Sequence, residues 1–161
     1  MRRLARTTLL LVTLMAMTLS GCSRLATWPP VRDDAVGGGD HVIHNGGIEI
    51  HVYRFGVWDD TGEPTAEIRI DNRGEIPLAM ALGDARVDIG GEMVGPRDHG
   101  EILSVFLEPL QQYNTRITFM GVIDRDEARP APDVLYLHLP PVLTRDGEFA
   151  LPVLTYHNPD S

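Results

Sequence analysis

From His41 onward the apolar residues of this chain recur mostly at every second position, and that period restricts the fold more than any other feature. Ile48, Ile50 and Val52 alternate with Glu49, His51 and Tyr53, after which the pattern shifts phase to Phe55 and Val57. A side-chain period of two belongs to a strand with one buried face, and a phase change within it predicts a β-bulge near Tyr53–Arg54. Asp59-Asp60-Thr61-Gly62-Glu63-Pro64 reads as a turn, and Ala66, Ile68 and Ile70 then alternate with Glu67, Arg69 and Asp71. These two runs predict a hairpin. Residues 78–82 fit a short strand or one helical turn, and Val87 and Ile89 belong to a further strand closed by Gly90-Gly91. Ile102 to Leu107 is apolar apart from Ser104, which predicts a central or doubly covered strand. Ile117 and Phe119, then Leu135, Leu137 and Leu139, then Phe149, Leu151 and Val153 continue the alternation. Seven to nine short strands and no amphipathic helix predict an all-β sandwich.

The N-terminus follows a different pattern. Arg2, Arg3 and Arg6 precede an apolar run from Leu9 to Leu19, and small residues lead into Cys22, the only cysteine. That is the layout of a secretory signal, and the run is too short and wrongly flanked to span a membrane. Leu19-Ser20-Gly21-Cys22 resembles the lipobox of bacterial lipoproteins. The resemblance implies cleavage after Gly21, a lipid on Cys22, and membrane attachment through N-terminal acyl chains. Ser23, where an aspartate would favour inner-membrane retention in enterobacterial lipoproteins, implies the periplasmic face of the outer membrane. Arg2-Arg3 is present, but the polar and aromatic context of a twin-arginine signal is missing.

Residues 1–21 are therefore expected as a signal peptide, 22–40 as the lipidated cysteine and a flexible tether, and 41–161 as the sandwich domain. Trp28-Pro29-Pro30, Asp33-Asp34 and Gly37-Gly38-Gly39 carry the tether reading. Its eighteen residues after Cys22 would reach roughly 55–60 Å extended and about 20–25 Å as a coil. Ile68-Arg69-Ile70-Asp71-Asn72, Pro77-Leu78, Asp84-Ala85-Arg86-Val87 and Leu107-Glu108-Pro109-Leu110 are similar to small immunoglobulin-like domains of secreted bacterial proteins. That likeness implies an immunoglobulin-like β-sandwich and transfers no site residue.

Composition closes several function classes. The formal net charge is −9, and loss of the three arginines in residues 1–21 takes it to about −12. Such a field repels phosphate backbones, so no nucleic-acid partner is expected. The chain has no lysine, hence no Schiff base and no P-loop cation. Ser23, Ser104 and Ser161, the serines left after processing, lie in no nucleophile elbow, and a lipid would consume the one thiol. No catalytic activity is expected, and no cofactor beyond the covalent lipid on Cys22.

The candidate sites are few. His41, His44 and His51, with Asp40 adjacent, are the densest imidazole cluster and the residues a copper or zinc carrier would use. On an extended chain, however, His41 and His44 point to opposite faces. Met80, Met93 and Met120 are expected in the core. Asp124-Arg125-Asp126-Glu127 reads as a solvated loop. Tyr136, His138 and Tyr156 are expected to project from the last strands as a recognition surface, and Pro140 to Tyr156 as a hairpin offering an edge. The expected function is a lipid-anchored binding or assembly module that presents its sandwich to another envelope protein. The alternatives are a periplasmic copper or zinc carrier and a metal- or carboxylate-dependent hydrolase.

Overall fold

The computed structural model describes residues 25–27, 41–58, 61–97, 104–123 and 132–158. Residues 1–21, read above as a signal peptide, Cys22, Asp40, most of the stretch read as a tether, and residues 124–127 lie outside these residues. Thirteen strands are described: β1 Leu25–Thr27, β2 His41–Asn45, β3 Ile48–Trp58, β4 Pro64–Asn72, β5 Leu78–Ala81, β6 Arg86–Ile89, β7 Glu92–Val94, β8 Ser104–Leu107, β9 Gln112–Thr118, β10 Val134–His138, β11 Val142–Thr144, β12 Gly147–Phe149 and β13 Leu154–His157.

The first layer has the order β1-β3-β4-β9, with β2 paired to the start of β3 on the edge whose far end β1 occupies. Its β3–β4 register shifts between Val52 and Arg54, which is the expected bulge. The bulge lets Ile50, Val52, Phe55 and Val57 all face inward although the odd–even pattern breaks between them.

The second layer is one four-lane sheet broken across its middle. One half has the order β13-β10-β6-β7 and the other β12-β11-β5-β8, with β10 running on into β11 and β5 into β6. Pro140-Pro141 interrupts the β10/β11 lane because proline cannot donate to a ladder. A 3₁₀ turn, Leu82–Asp84, interrupts the β5/β6 lane. Residues 78–82 are thus a strand running into a helical turn. With β4 beside β9 in one layer and β5 and β6 beside β11 and β10 in the other, the described strands form an all-β sandwich.

The core lies between the layers and draws on both. Ile50, Phe55, Ile68 and Ile70 face Leu78, Val87, Leu135, Leu137 and Tyr156 in one buried cluster. Phe55 stacks on Tyr156 with ring centroids 4.3 Å apart.

Five expectations need correction. Tyr156 is 1% exposed and belongs to the core, not to a surface. No strand is assigned between β12 and β13, where Pro152 cannot donate to a ladder, and alternation restarts one position out of phase. Leu154 and Tyr156 consequently point inward, while Val153 is exposed. β8 is an edge strand with alternating burial, so its outward residue Phe106 stands 63% exposed where a doubly covered strand was expected. Of the three methionines only Met80 is buried, and Met93 and Met120 are exposed. Leu25–Thr27, inside the stretch read as tether, is a strand of the first layer.

Candidate functional site

The outer face of the first layer is ionic. On β4 the alternate residues Glu67, Arg69 and Asp71 face out, flanked by Glu49 and Arg54 of β3 and Arg116 of β9. Arg116 donates to Glu67 from Nε at 3.0 Å and Nη2 at 2.5 Å, and Arg54 approaches the other oxygen at 3.4 Å. Arg69 bridges Glu49 at 3.2 Å and Asp71 at 3.1 Å. Arg73 reaches the same two carboxylates at 3.0 and 3.5 Å. The guanidinium of Arg116 also lies 5.7 Å from the centre of the Trp58 ring. The acids lie beneath the arginines: Glu67 is 8% exposed and Arg116 56%. Such a network satisfies itself, and its chemistry is to lock three strands in register.

His44 belongs to the end of this face. Its Nδ1 lies 3.5 Å from Glu49, and it borders an open recess of ≈ 300 Å³ lined by the β2–β3 turn, Glu49 and Arg73. His51 is on the same face, against the Tyr53 ring at 5.9 Å. His41 is on the other side of the sheet, its ring edge-on to Tyr156 at 5.2 Å and its Nε2 3.4 Å from the Thr155 carbonyl oxygen. The cross-strand pairs His41↔Val52 and His44↔Glu49 show the cause, since one joins the core face and the other the outer face. The fold therefore does not bring the three histidines together. Among the described residues no group of three His, Cys, Asp or Glu side chains is spaced to hold a metal.

The outer face of the second layer is apolar. Leu143 of β11, Ala79 of β5 and Phe106 of β8 are direct cross-strand neighbours in one row. Leu143 is 45% exposed and Phe106 63%. In the other half of the sheet Tyr136, Asp88 and Met93 form a second row, with Tyr136 and Met93 exposed. His138, half-buried, pairs across to Arg86. Tyr136 and His138 thus stand on the face expected of them, without Tyr156. Acidic residues border it: Glu148 pairs with Leu143, and Glu108 follows β8, both exposed. Arg86 does not offset them, because its Nη1 is turned to the carbonyls of Gly83 at 2.9 Å and Ala85 at 2.7 Å.

Phe106 and Leu143 were not legible as site residues. An apolar side chain on a strand reads as core unless the number of layers is known. The available signal was the exception in the run 102–107, where Ser104 marks the outward phase that Phe106 shares.

The chain matches no family model, and comparison with curated proteins finds no significant relative.

Proposed function

We propose that this protein is a lipid-anchored envelope module, held through acyl chains on Cys22 at the periplasmic face of the outer membrane, that binds another envelope protein without catalysing a reaction. One observation carries the binding half: an outward row of apolar side chains, Leu143, Ala79 and Phe106, on a sheet face that a two-layer sandwich leaves uncovered. Exposed phenylalanine and leucine on either side of Ala79, with the exposed Glu148 paired to Leu143 and Glu108 following β8, match the anatomy of a recognition patch with an apolar centre and a polar rim. The partner that fits is a protein surface with an apolar centre and basic surroundings. The lipobox-like N-terminus supports the anchoring half. Confinement at a membrane raises the effective concentration of even a weak binder.

The test is co-purification from detergent-solubilised envelopes after crosslinking. The wild-type chain is expected to capture a discrete partner, and Phe106→Ser is expected to lose roughly tenfold or more of that capture. Its own stability should change by only about 0.5 kcal/mol. Equal capture by the two chains, or recovery of only abundant bulk porins, overturns the reading.

A further inference from the structure

We propose that β1 clamps the domain end-on to the bilayer, so that the Trp58 end of the sandwich rests on lipid and the Phe106 row is presented away from it. The inference deepens the proposed function and rests on lipidation of Cys22.

β1 is no passing contact. Leu25, Ala26 and Thr27 pair with Trp58, Val57 and Gly56. The approach at Gly56 is so close that a Cβ there would lie 2.1 Å from the Ala26 carbonyl oxygen and 2.8 Å from its carbon. Only glycine admits β1 at this position, because the groups in the way are main chain and cannot rotate aside.

That pairing resets the tether. Leu25 follows Cys22 by three peptide steps, which span at most about 10 Å. The residues after Thr27 do not enter, because they follow β1 in the chain. An acyl chain on Cys22 therefore fixes the end of β3 that carries Trp58, and with it the groups bonded there. Gly62 donates its N–H to the Trp58 carbonyl at 2.8 Å, and Ile123 donates to the Gly62 carbonyl at 2.8 Å. Phe119 donates to the Pro64 carbonyl at 2.9 Å, which carries Met120 past the same end. Met120 is 60% exposed and Val122 63%. These two apolar side chains lie at the Trp58 end of the layer and have the size and chemistry to enter the interfacial region of a bilayer.

The opposite end follows from the same geometry. β3 runs eleven residues from Ile48 to Trp58, about 33 Å. At its far end Ile48 pairs with Asn72, whose side chain is bonded to the Leu107 carbonyl oxygen. Leu107 is the neighbour of Phe106 on β8. The half-sheet bearing the Leu143–Ala79–Phe106 row is thus distal to the anchor, where a partner rooted elsewhere in the envelope can reach it.

The experiment uses the full acylated chain, reconstituted in phosphatidylcholine vesicles doped with lipid bearing a nitroxide on its headgroup. A fluorophore is placed on Thr61→Cys, at the Trp58 end, or on Glu75→Cys, at the far end; both native residues are exposed. Strong quenching at position 61 and little at position 75 is expected. Ala26→Pro, which removes a β1 donor without touching the core, should lose the difference, as should Gly56→Val. Acylated wild-type chains with equal quenching at both positions overturn the clamp and leave the lipid anchor standing. A mass spectrum showing no acyl group on Cys22 removes the anchor, and the clamp with it.

Discussion

Asn72 shows how much a single turn residue can hold. It is 1% exposed, and its side-chain amide donates to the carbonyls of Ile76 at 2.9 Å and Leu107 at 3.0 Å. Its Oδ1 accepts from the Gly74 N–H at 3.1 Å. One side chain therefore ties the β4–β5 turn to the end of β8. Asn72→Ala leaves buried carbonyls without donors and should cost about 2–4 kcal/mol in urea unfolding. Asn72→Asp should cost more, since it sets carboxylate lone pairs against those carbonyls. Equal unfolding midpoints for the two variants would contradict this arrangement. Leu110 gives the opposite case. It has φ 66° and is 86% exposed, so its side chain contributes little packing while its backbone sits in the left-handed region. Leu110→Gly is expected to raise the urea midpoint, by up to about 1 kcal/mol of stability once the added chain entropy is subtracted. At Gly47, by contrast, φ is 85° and a Cβ would lie 2.8 Å from the Gly74 Cα. Gly47→Ala should destabilise by more than 1 kcal/mol or so, the ordinary scale of such a change being exceeded by the clash.

Among the elements, β4 is the one that organises the molecule. Eight of its nine residues are buried, although it carries Glu67, Arg69 and Asp71. It tolerates them because Glu67 sits under Arg54 and Arg116 of the two neighbouring strands, and Asp71 under Arg69 of its own strand and Arg73 of the turn that follows. The acids bear the cost if the network is cut: Glu67→Ala strands Arg54 and Arg116 and removes two charge-assisted bonds. That change should cost about 1.5–3 kcal/mol, whereas Arg54→Ala, which leaves Arg116 in place, should cost about 0.2–1 kcal/mol. Paired thermal and urea melts check the ranking. β3, β4, β6 and β10 were legible because their alternation runs unbroken or breaks once at a bulge. β8 and β13 were not. Whether β8 is central or at an edge depends on which strand lies beside it, and no local pattern encodes that. The phase of β13 depends on how many residues the Pro152 interruption consumes, and one residue either way exchanges core for surface. The same slip explains why Tyr156 belongs with Phe55, while Tyr136, on the neighbouring β10, stands outside.

At the scale of the whole molecule the two outer faces are unequal. The first layer covers its polar groups with one another, and the second leaves apolar ones open. A double variant, Phe106→Ser with Leu143→Ser, should weaken partner capture further than either single change while the thermal midpoint stays near wild type; a large loss of stability instead would identify the row as structural packing. By itself the sequence determined the period-two architecture, the bulge, the turn positions, the acidic charge and the absence of lysine, because each is local or additive along the chain. The tertiary structure alone decided that His41 parts from His44, that Tyr156 is core, that Phe106 is surface and that Leu25–Thr27 joins the sheet. Each of those depends on which strand lies alongside which, a property of pairs of residues far apart in the chain, and burial follows from that pairing rather than from the residue itself.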